Sequence, residues 1–190
     1  MQRILVIDNH DSFVYNLVQL LKYNGHCHFE VTANDRIEML RVHRYDKVLL
    51  SPGPGIPQEA GKLSELIGYC KNTHPILGVC LGHQAIAEVF GARLLQLPFP
   101  RHGHSSPLQF TSAEDPIFRN IPGDIRVGRY HSWTVDPDSL PEELKISAID
   151  EEEHIMAFFH TRLPIHGLQF HPESVITRYG QRIINNWIDE

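Results

Sequence analysis

Ile76-Leu77-Gly78-Val79-Cys80-Leu81-Gly82-His83-Gln84 is the stretch that decides how this chain folds. An apolar run over residues 75–79 gives way to a helix-like pattern over residues 83–90, with a cysteine between two glycines at the junction. A reactive side chain at such a strand-to-helix turn is typical of a nucleophile elbow, where it is pushed out above the sheet. We therefore predict that Cys80 is a nucleophile, against the alternative of a buried structural cysteine.

Strand and helix patterns alternate around this junction through the first half of the chain. The predicted strands cover residues 3–7, 26–31, 47–50 and 75–79, and the predicted helices cover 12–23, 36–43, 59–70 and 83–90. Such alternation predicts a parallel sheet covered on both faces, with the active site beyond the carboxyl ends of its strands.

The second half of the chain is richer in proline and glycine and predicts mainly short strands. These strands cover residues 93–96, 108–111, 125–130, 145–149, 155–160 and 165–169, and a closing helix covers 177–188. The expected fold is α/β: a doubly wound, mostly parallel, flavodoxin-like sheet with helices on both faces and a smaller antiparallel extension. We expect one domain over residues 1–190, since no linker-like segment divides the pattern.

Composition excludes several classes of function. The chain has 190 residues and a formal net charge of −6 with no basic run, which argues against nucleic-acid binding and anionic membranes. No apolar stretch approaches the roughly 20 residues of a membrane span, and the N-terminus lacks a signal-peptide pattern. Three cysteines without paired spacing favour reduced thiols. We therefore expect a cytoplasmic protein that binds neither nucleic acid nor membranes.

A general base for Cys80 is predicted at His171, which follows an apolar strand and should emerge at the same sheet edge. Residues i and i+2 of an extended segment point the same way, so Glu173 should lie beside the His171 ring. Pro172 favours this extended geometry. A carboxylate there can orient the imidazole and stabilise its charged form. The alternative is a structural histidine at a strand end and a solvated glutamate.

Two backbone amides are candidates for holding an oxyanion. The N–H of Leu81 follows the nucleophile at a helix N-terminus, whose partial positive charge also favours a thiolate. The loop of residues 51–57, Ser-Pro-Gly-Pro-Gly-Ile-Pro, follows the third strand at the same edge. Because Pro54 has no N–H, donors there must come from Gly53 or Gly55, and we predict Gly53 as the second donor.

Two other uses of a doubly wound sheet, and a metal site, fit less well. A phosphate site would need a loop rich in Ser, Thr or Gly after the first strand. This chain has Asp8 and Asp11 there, and their carboxylates would repel phosphate. A phospho-acceptor domain would need an aspartate after the third strand, where Ser51 stands. With 13 histidines in the chain, His102-Gly103-His104 is the best metal-ligand candidate, but it lacks an established ligand spacing. We expect no metal site.

Three segments together resemble the class I, triad-type glutamine amidotransferases. They are residues 78–84 around Cys80, residues 51–57, and Gln169-Phe170-His171-Pro172-Glu173-Ser174. Residues 8–13 and Arg129-Tyr130-His131-Ser132 are similar to the amidotransferase subunits of anthranilate synthase and aminodeoxychorismate synthase. The resemblance extends over essentially the whole chain.

This resemblance implies a reaction and a partner. L-Glutamine would be hydrolysed through a thioester on Cys80, with His171 and Glu173 completing the triad. Contacts to glutamine are implied for the 53–55 loop and for three further positions: Gly53, Pro54, Gly55, Gln84, Ser132 and Trp133. Ammonia would pass to a larger, chorismate-binding synthase subunit, which rather than this chain would bind Mg²⁺; no cofactor is expected here. The product, anthranilate or aminodeoxychorismate, stays open.

The sequence departs from the pattern it resembles at positions outside the triad. The related proteins usually carry Tyr where His10 stands, Lys where His104 stands and Leu where Trp133 stands. Two alternatives of other classes remain. One is an inactive amidotransferase-like binding module, and the other is a free-standing cysteine hydrolase of γ-glutamyl compounds.

Overall fold

The structure, a computed structural model, describes residues 1–112 and 114–190. Its strands are β1 (Gln2–Asp8), β2 (Cys27–Ala33), β3 (Lys47–Leu50), β4 (Ile76–Val79), β5 (Leu94–Pro107), β6 (Gln109–Phe110), β7 (Arg126–Val135), β8 (Leu144–Ile149), β9 (Ile155–His160) and β10 (Ile165–Leu168). Its α-helices are α1 (Val14–Asn24), α2 (Leu63–Cys70), α3 (Leu81–Val89) and α4 (Gly180–Asp189). Short 3₁₀ turns cover Met39–Arg44, Pro57–Glu59, Pro116–Phe118 and Pro137–Ser139.

The larger sheet has eight strands in the order β2-β1-β3-β4-β10-β9-β8-β6. Strands β2 to β10 of this order run parallel, and β9, β8 and β6 continue the sheet antiparallel. Because the strand order reverses at β1, the parallel part is doubly wound, which confirms the predicted fold class. The carboxyl ends of β3, β4 and β10 are neighbours at one edge of the sheet, and the predicted catalytic segments follow these three strands.

Two hydrophobic cores lie on the two faces of this sheet. Alternate residues of β1 point to opposite faces, so Ile4 and Val6 join one core whereas Leu5 and Ile7 join the other. Helices α1 and α4 cover the first core, and α2 and α3 cover the second. This cover on both faces explains why the parallel strands are continuous apolar runs in the sequence.

A separate two-stranded ribbon, formed by β5 and β7, packs beside the large sheet. The two strands are antiparallel, with Leu94 opposite Val135 and Pro107 opposite Arg126. The pairing shifts register twice, between residues 96 and 101 and between 102 and 104. An isolated bridge joins Gly128 of β7 to His171, so the ribbon meets the large sheet just beyond the end of β10.

Four segments differ from the sequence-based prediction. The predicted helix 36–43 is instead the 3₁₀ turn Met39–Arg44, a form common in short connecting segments. Helix α2 begins at Leu63 rather than 59, because Gly61 has a φ of 57° and breaks the helical path. The predicted strands 93–96 and 125–130 are the beginnings of much longer strands, β5 and β7.

The helix boundaries near the sheet edge are otherwise close to those predicted. Helix α1 ends where expected, since Gly25 follows it in the left-handed conformation with a φ of 73°. Helix α4 begins at Gly180, three residues later than predicted, after a turn in which Thr177 is hydrogen-bonded to His171. Among residues 1–112 and 114–190, no helix combines the length and the hydropathy of a membrane-spanning segment.

Candidate active site

Cys80 lies at the junction of β4 and α3 in a conformation that non-glycine residues rarely adopt. Its φ is 52° and its ψ is −101°, and the helix begins with the next residue, Leu81. Its backbone N–H donates to the carbonyl of Leu168 at 2.7 Å, which ties the turn to the end of β10. A strained turn that is held by its surroundings in this way is common at functional sites, and it confirms the predicted elbow geometry.

The two flanking glycines are required by close packing. A Cβ atom added to Gly78 would lie 2.5 Å from the backbone of Gly82, and one added to Gly82 would lie 2.7 Å from Leu50 in β3. Both distances are far below a van der Waals contact, so neither position has room for a side chain. The helix therefore packs its first turn directly on strands β3 and β4, and this fixes the position of Cys80.

His171 and Glu173 are held beside each other beyond the end of β10. The His171 Nδ1 and the Glu173 Oε1 are 2.6 Å apart, and both side chains are almost fully buried. The backbone N–H of His171 donates to the Gly128 carbonyl at 2.9 Å, and Thr177 Oγ1 donates to the His171 carbonyl at 2.7 Å. The backbone on both sides of the ring is thus fixed.

The other ring nitrogen of His171 is available to the thiol. Nε2 is buried and makes no hydrogen bond of regular geometry with the described residues. Burial lowers the pKa of His171, but hydrogen bonding and charge from Cys80 and Glu173 outweigh this effect and raise it. Cys80 is thus one of the groups that act on this ring. The charged imidazolium is the favoured form of this ring.

Two aromatic rings cover the His171 imidazole. The centroids of Phe13 and Tyr130 lie 5.4 Å and 4.8 Å from the centroid of the His171 ring, both edge-on. Phe13 precedes α1 and Tyr130 lies on β7, so the ring is enclosed from the sheet side and from the ribbon side. This apolar cover limits water around the ion pair of His171 and Glu173.

The pKa values of two other buried histidines are shifted in the opposite direction to that of His171. Burial lowers the pKa of His83 to about 3, with a further contribution from His131. Burial and the nearby Arg129 lower the pKa of His131 to about 3. Both rings are therefore neutral at physiological pH. Of these three buried rings, His171 is the one poised to hold a proton taken from a thiol.

The Gly53 segment lies against the start of α3. A Cβ atom added to Gly53 would lie 2.5 Å from Leu81 Cδ2 and 2.6 Å from Asn9 Cβ, so only glycine fits there. Neither the Gly53 N–H nor the Leu81 N–H donates to an acceptor within the described residues. Gly53 and Leu81 are thus neighbours, Gly53 lines the same cleft as Cys80, and neither N–H is used within the described residues.

Asn9 holds the start of the 51–57 loop in place, a role that the sequence analysis did not identify. Its backbone N–H donates to Ser51 Oγ at 2.9 Å and its side chain donates to the Ser51 carbonyl at 2.8 Å. Asn34 donates in turn to the Asn9 side chain at 3.1 Å. The position of Asn9 could have indicated this role, because Asn9 directly follows the first strand and therefore lies at the same sheet edge as Cys80 and Gly53.

A cleft of about 440 Å³ opens over Cys80. It is lined by Cys80 and by every residue that the sequence pattern implies for glutamine binding: Gly53, Pro54, Gly55, Gln84, Ser132 and Trp133. The buried His171, Glu173 and Leu81 do not line it. Gln84 Nε2 donates to the Trp133 carbonyl at 2.8 Å and to Gln169 Oε1 at 3.0 Å, which leaves the Gln84 carbonyl oxygen for a ligand. A cleft of this size suits a small molecule.

The ribbon contributes four cleft residues that the sequence analysis did not assign to the cleft. They are Gln96, His102, Tyr130 and His131. His102 was considered only as a metal ligand together with His104. The potential metal ligands that the described residues bring together are Asp150, Glu152 and His154 instead. Arg129 and Arg101 form ion pairs with the two carboxylates of that group, so their charge is already balanced.

Comparisons with known proteins agree with this geometry. The model of the family "Glutamine amidotransferase class-I" matches residues 5–190. The chain is 47% identical over 191 residues to anthranilate synthase component 2 of Mycobacterium tuberculosis, which covers 98% of this chain and 81% of that protein. It is 38% identical over 187 residues to aminodeoxychorismate synthase component 2 of Escherichia coli, an alignment that covers 97% of this chain and 98% of that protein.

A solved structure shares the fold at low sequence identity. A glutamine amidotransferase from Thermotoga maritima superposes with a TM-score of 0.81 at 19% identity, covering 99% of this chain and 96% of that one. This likeness supports the sheet topology described above.

Proposed function

The chain belongs to the class-I glutamine amidotransferase family, and from this premise we propose that it hydrolyses L-glutamine with Cys80, His171 and Glu173 as its triad. The ammonia would pass to a larger synthase subunit that aminates chorismate. Relatives named as components of anthranilate synthase and of aminodeoxychorismate synthase support this class of partner.

In the first half of the reaction, a thioester forms. Glutamine lies in the 440 Å³ cleft with its side-chain amide over the sulfur. The thiol proton goes to Nε2 of His171, and Sγ of Cys80 attacks the amide carbon. The negative charge that develops on the amide oxygen is stabilised by the N–H groups of Leu81 and Gly53. His171 then gives its proton to the leaving nitrogen, the C–N bond breaks and ammonia departs.

In the second half, water releases glutamate. His171 Nε2, now neutral, takes a proton from the attacking water. The tetrahedral intermediate uses the same two backbone donors, and it collapses with cleavage of the C–S bond. Cys80 regains its proton or pairs as a thiolate with the protonated ring. Glu173 stays ionised and stabilises the imidazolium in both halves.

The single observation that carries the proposal is the convergence of three distant segments on one edge of the sheet. Cys80 follows β4 and His171 follows β10, the strand next to it, with Glu173 2.6 Å from the ring. Gly53 follows β3, the strand on the other side of β4. This set contains a nucleophile, a base, an orienting carboxylate and two oxyanion donors around one cleft.

No step of this route calls for a metal or cofactor in this chain, and we assign Mg²⁺ to the chorismate-binding partner. We also place the reaction in the cytoplasm. The three cysteines, Cys27, Cys70 and Cys80, are all unpaired in the structure, which fits a reducing compartment.

The test uses the chain in complex with each of the two candidate synthase subunits. With chorismate and glutamine, fluorescence detects anthranilate, and chromatography detects aminodeoxychorismate. We expect Cys80→Ser to abolish glutamine-dependent synthesis while ammonia-dependent synthesis by the same complex continues. Cys27→Ser is the matched control, because Cys27 is a half-buried thiol on β2 outside the cleft, and it should retain both activities.

Other outcomes identify the competing functions. A chain that binds a synthase but releases no glutamate with either partner would be a binding module. Full glutaminase activity without a partner would indicate a free-standing hydrolase. Loss of the ammonia-dependent activity in Cys80→Ser would contradict the role given to Cys80.

A further inference from the structure

We propose that Gln169 is a further catalytic residue, whose side-chain N–H donates to the sulfur of Cys80 and stabilises the thiolate. The proposal deepens the proposed function, since it concerns the same nucleophile. Gln169 Nε2 lies 3.7 Å from Cys80 Sγ, which is a hydrogen-bond distance for sulfur, so this amide is a second N–H donor at the sulfur besides the His171 imidazolium.

The Gln169 side chain is held rigidly behind the cleft. The residue is fully buried directly after β10, and its backbone N–H donates to the Met156 carbonyl of β9 at 2.8 Å. Its neighbour Leu168 accepts the backbone N–H of Cys80 at 2.7 Å. The same short segment therefore contacts the nucleophile through its backbone and through a side chain, so their relative position is fixed.

The direction of the Gln169 amide follows from its hydrogen-bond partners. A backbone carbonyl can only accept, so the Trp133 carbonyl requires the NH₂ group of Gln84 at 2.8 Å. The second hydrogen of that NH₂ group points to Gln169 at 3.0 Å and requires an oxygen there. With its oxygen facing Gln84, Gln169 presents its own NH₂ group to the sulfur.

The hydrogen bonds that orient Gln84 and Gln169 continue, through the Trp133 carbonyl, to a buried ion pair on the ribbon side. Arg129 is fully buried and pairs with Asp150, and its Nε donates to His131 Nε2 at 3.1 Å. Because arginine has no acceptor, His131 Nε2 must accept, and its hydrogen is on Nδ1. Nδ1 donates to the Trp133 carbonyl at 2.8 Å. The pKa of His131, lowered to about 3, keeps this tautomer neutral.

A fixed N–H donor at the sulfur would stabilise the thiolate form of Cys80. Ionisation moves the thiol proton to His171 Nε2 and leaves a negative charge on Sγ in a largely buried position, where water can solvate it only weakly. A hydrogen bond to an ionised group is stronger than one to a neutral group, so the Gln169 N–H favours the thiolate over the thiol.

The test measures alkylation of Cys80 by iodoacetamide against pH, resolved from the other cysteines by peptide mass spectrometry. It uses the full chain and needs no glutamine or partner, so its result is independent of the proposed function. Gln169→Glu is the first variant: it keeps the shape and offers Gln84 an oxygen, but it removes the donor and adds a carboxylate whose charge also disfavours the thiolate. Gln169→Leu is the second, and Gln109→Leu, on the exposed face of β6, is the matched control.

Losing the donor should change the rate in opposite directions at the two ends of the pH range. The thiolate fraction at low pH should fall about tenfold, while each thiolate becomes about threefold more reactive as it becomes more basic. We expect alkylation about threefold slower than native at acidic pH and about threefold faster at alkaline pH. The titratable neighbours of this site are the same in every variant: His171 and Glu173 of the triad, His83 beside Gln169, and His102 and His131 of the cleft.

The rate profiles of the variant and the native protein should therefore cross as pH rises. A merely structural role for Gln169 would not produce such a crossing. Native profiles in both folded variants would overturn the proposal. So would a loss by the same factor at every pH, because that result means a displaced sulfur rather than a missing donor. The control variant should follow the native profile throughout.

Discussion

The edge of the parallel sheet and the β5–β7 ribbon form the two sides of one cleft, but they are built in different ways. On the sheet side, Cys80 and Gly53 follow adjacent strands, and their backbone is packed so tightly that added Cβ atoms would clash at Gly53, Gly78 and Gly82. The ribbon pairs with two register shifts, and several of its residues are exposed. From this comparison we expect the proposed proton transfers to depend on the sheet edge, and the ribbon to add contacts with glutamine to those of the 53–55 loop and Gln84.

The largest effect is expected when the proposed base on the sheet side is removed. We expect His171→Ala to lower kcat for glutamine about 10⁴-fold, near the upper range for general acid–base catalysis, with little change in KM. The reason is that Nε2 both receives the thiol proton and protonates the leaving ammonia. The measurement is glutamate release by the complex with the synthase subunit.

The ribbon supplies the matched control for this variant. Gln96 lines the cleft from β5 and has no part in the proposed proton transfers. Gln96→Ala should raise KM and leave kcat close to native. A ribbon variant that lowers kcat as much as His171→Ala would remove the proposed division between the two sides.

The second prediction compares one glycine from each side. Gly78→Ala would place a Cβ atom 2.5 Å from the backbone of Gly82, so we expect a loss of about 3 kcal/mol or more in unfolding free energy. Gly103 of β5 has a φ of 66°, but an added Cβ would meet nothing closer than 3.8 Å. Gly103→Ala should therefore cost about 1 kcal/mol, from backbone strain alone.

Urea unfolding of the full-length chain measures both values. The expected result is a midpoint shift at least twice as large for Gly78→Ala as for Gly103→Ala, with similar slopes. Equal losses would show that the elbow can relax around a methyl group, and the rigid position assigned to Cys80 would then be wrong.

The same contrast explains how much could be read from the sequence. The sheet edge was predictable because each part is local: an apolar strand, a turn with glycines and the residue that follows. Cys80, His171 and Gly53 could be assigned to one edge without knowing any long-range contact. The pairing of Glu173 with His171 was also expected, and the structure brings the two within 2.6 Å, but the predicted extended geometry was wrong. The segment is a turn in which the Ser174 N–H donates to the His171 carbonyl at 3.2 Å.

The ribbon could not be predicted in the same way. Strand β5 contains two prolines and a glycine over residues 98–103, which are signals for a loop, and its irregular pairing with β7 accommodates them. The roles of His131 and Gln169 depend on contacts with Arg129, Gln84 and Cys80 that no local pattern encodes. Helix α2 was placed too early because nothing in the sequence showed that Gly61 takes a positive φ.

The smallest expected effect within the triad is that of the orienting carboxylate. Glu173→Ala should lower kcat about a hundredfold, well short of the effect of His171→Ala, since an orienting group contributes less than the base it orients. Alanine is preferred to glutamine, because an amide at this position would offer its own N–H to Nδ1 and select the wrong tautomer.

The pH profile separates this role from a purely structural one. His171 must be protonated to release ammonia, so activity falls as pH rises through its pKa. Glu173 is one of the groups that raise this pKa, and without its charge the pKa falls. The alkaline limb of kcat should therefore move to lower pH in Glu173→Ala, as measured by glutamate release by the complex. An unmoved alkaline limb, or a loss equal to that of His171→Ala, would mean that the carboxylate does more to hold the fold of the sheet edge than to charge the ring.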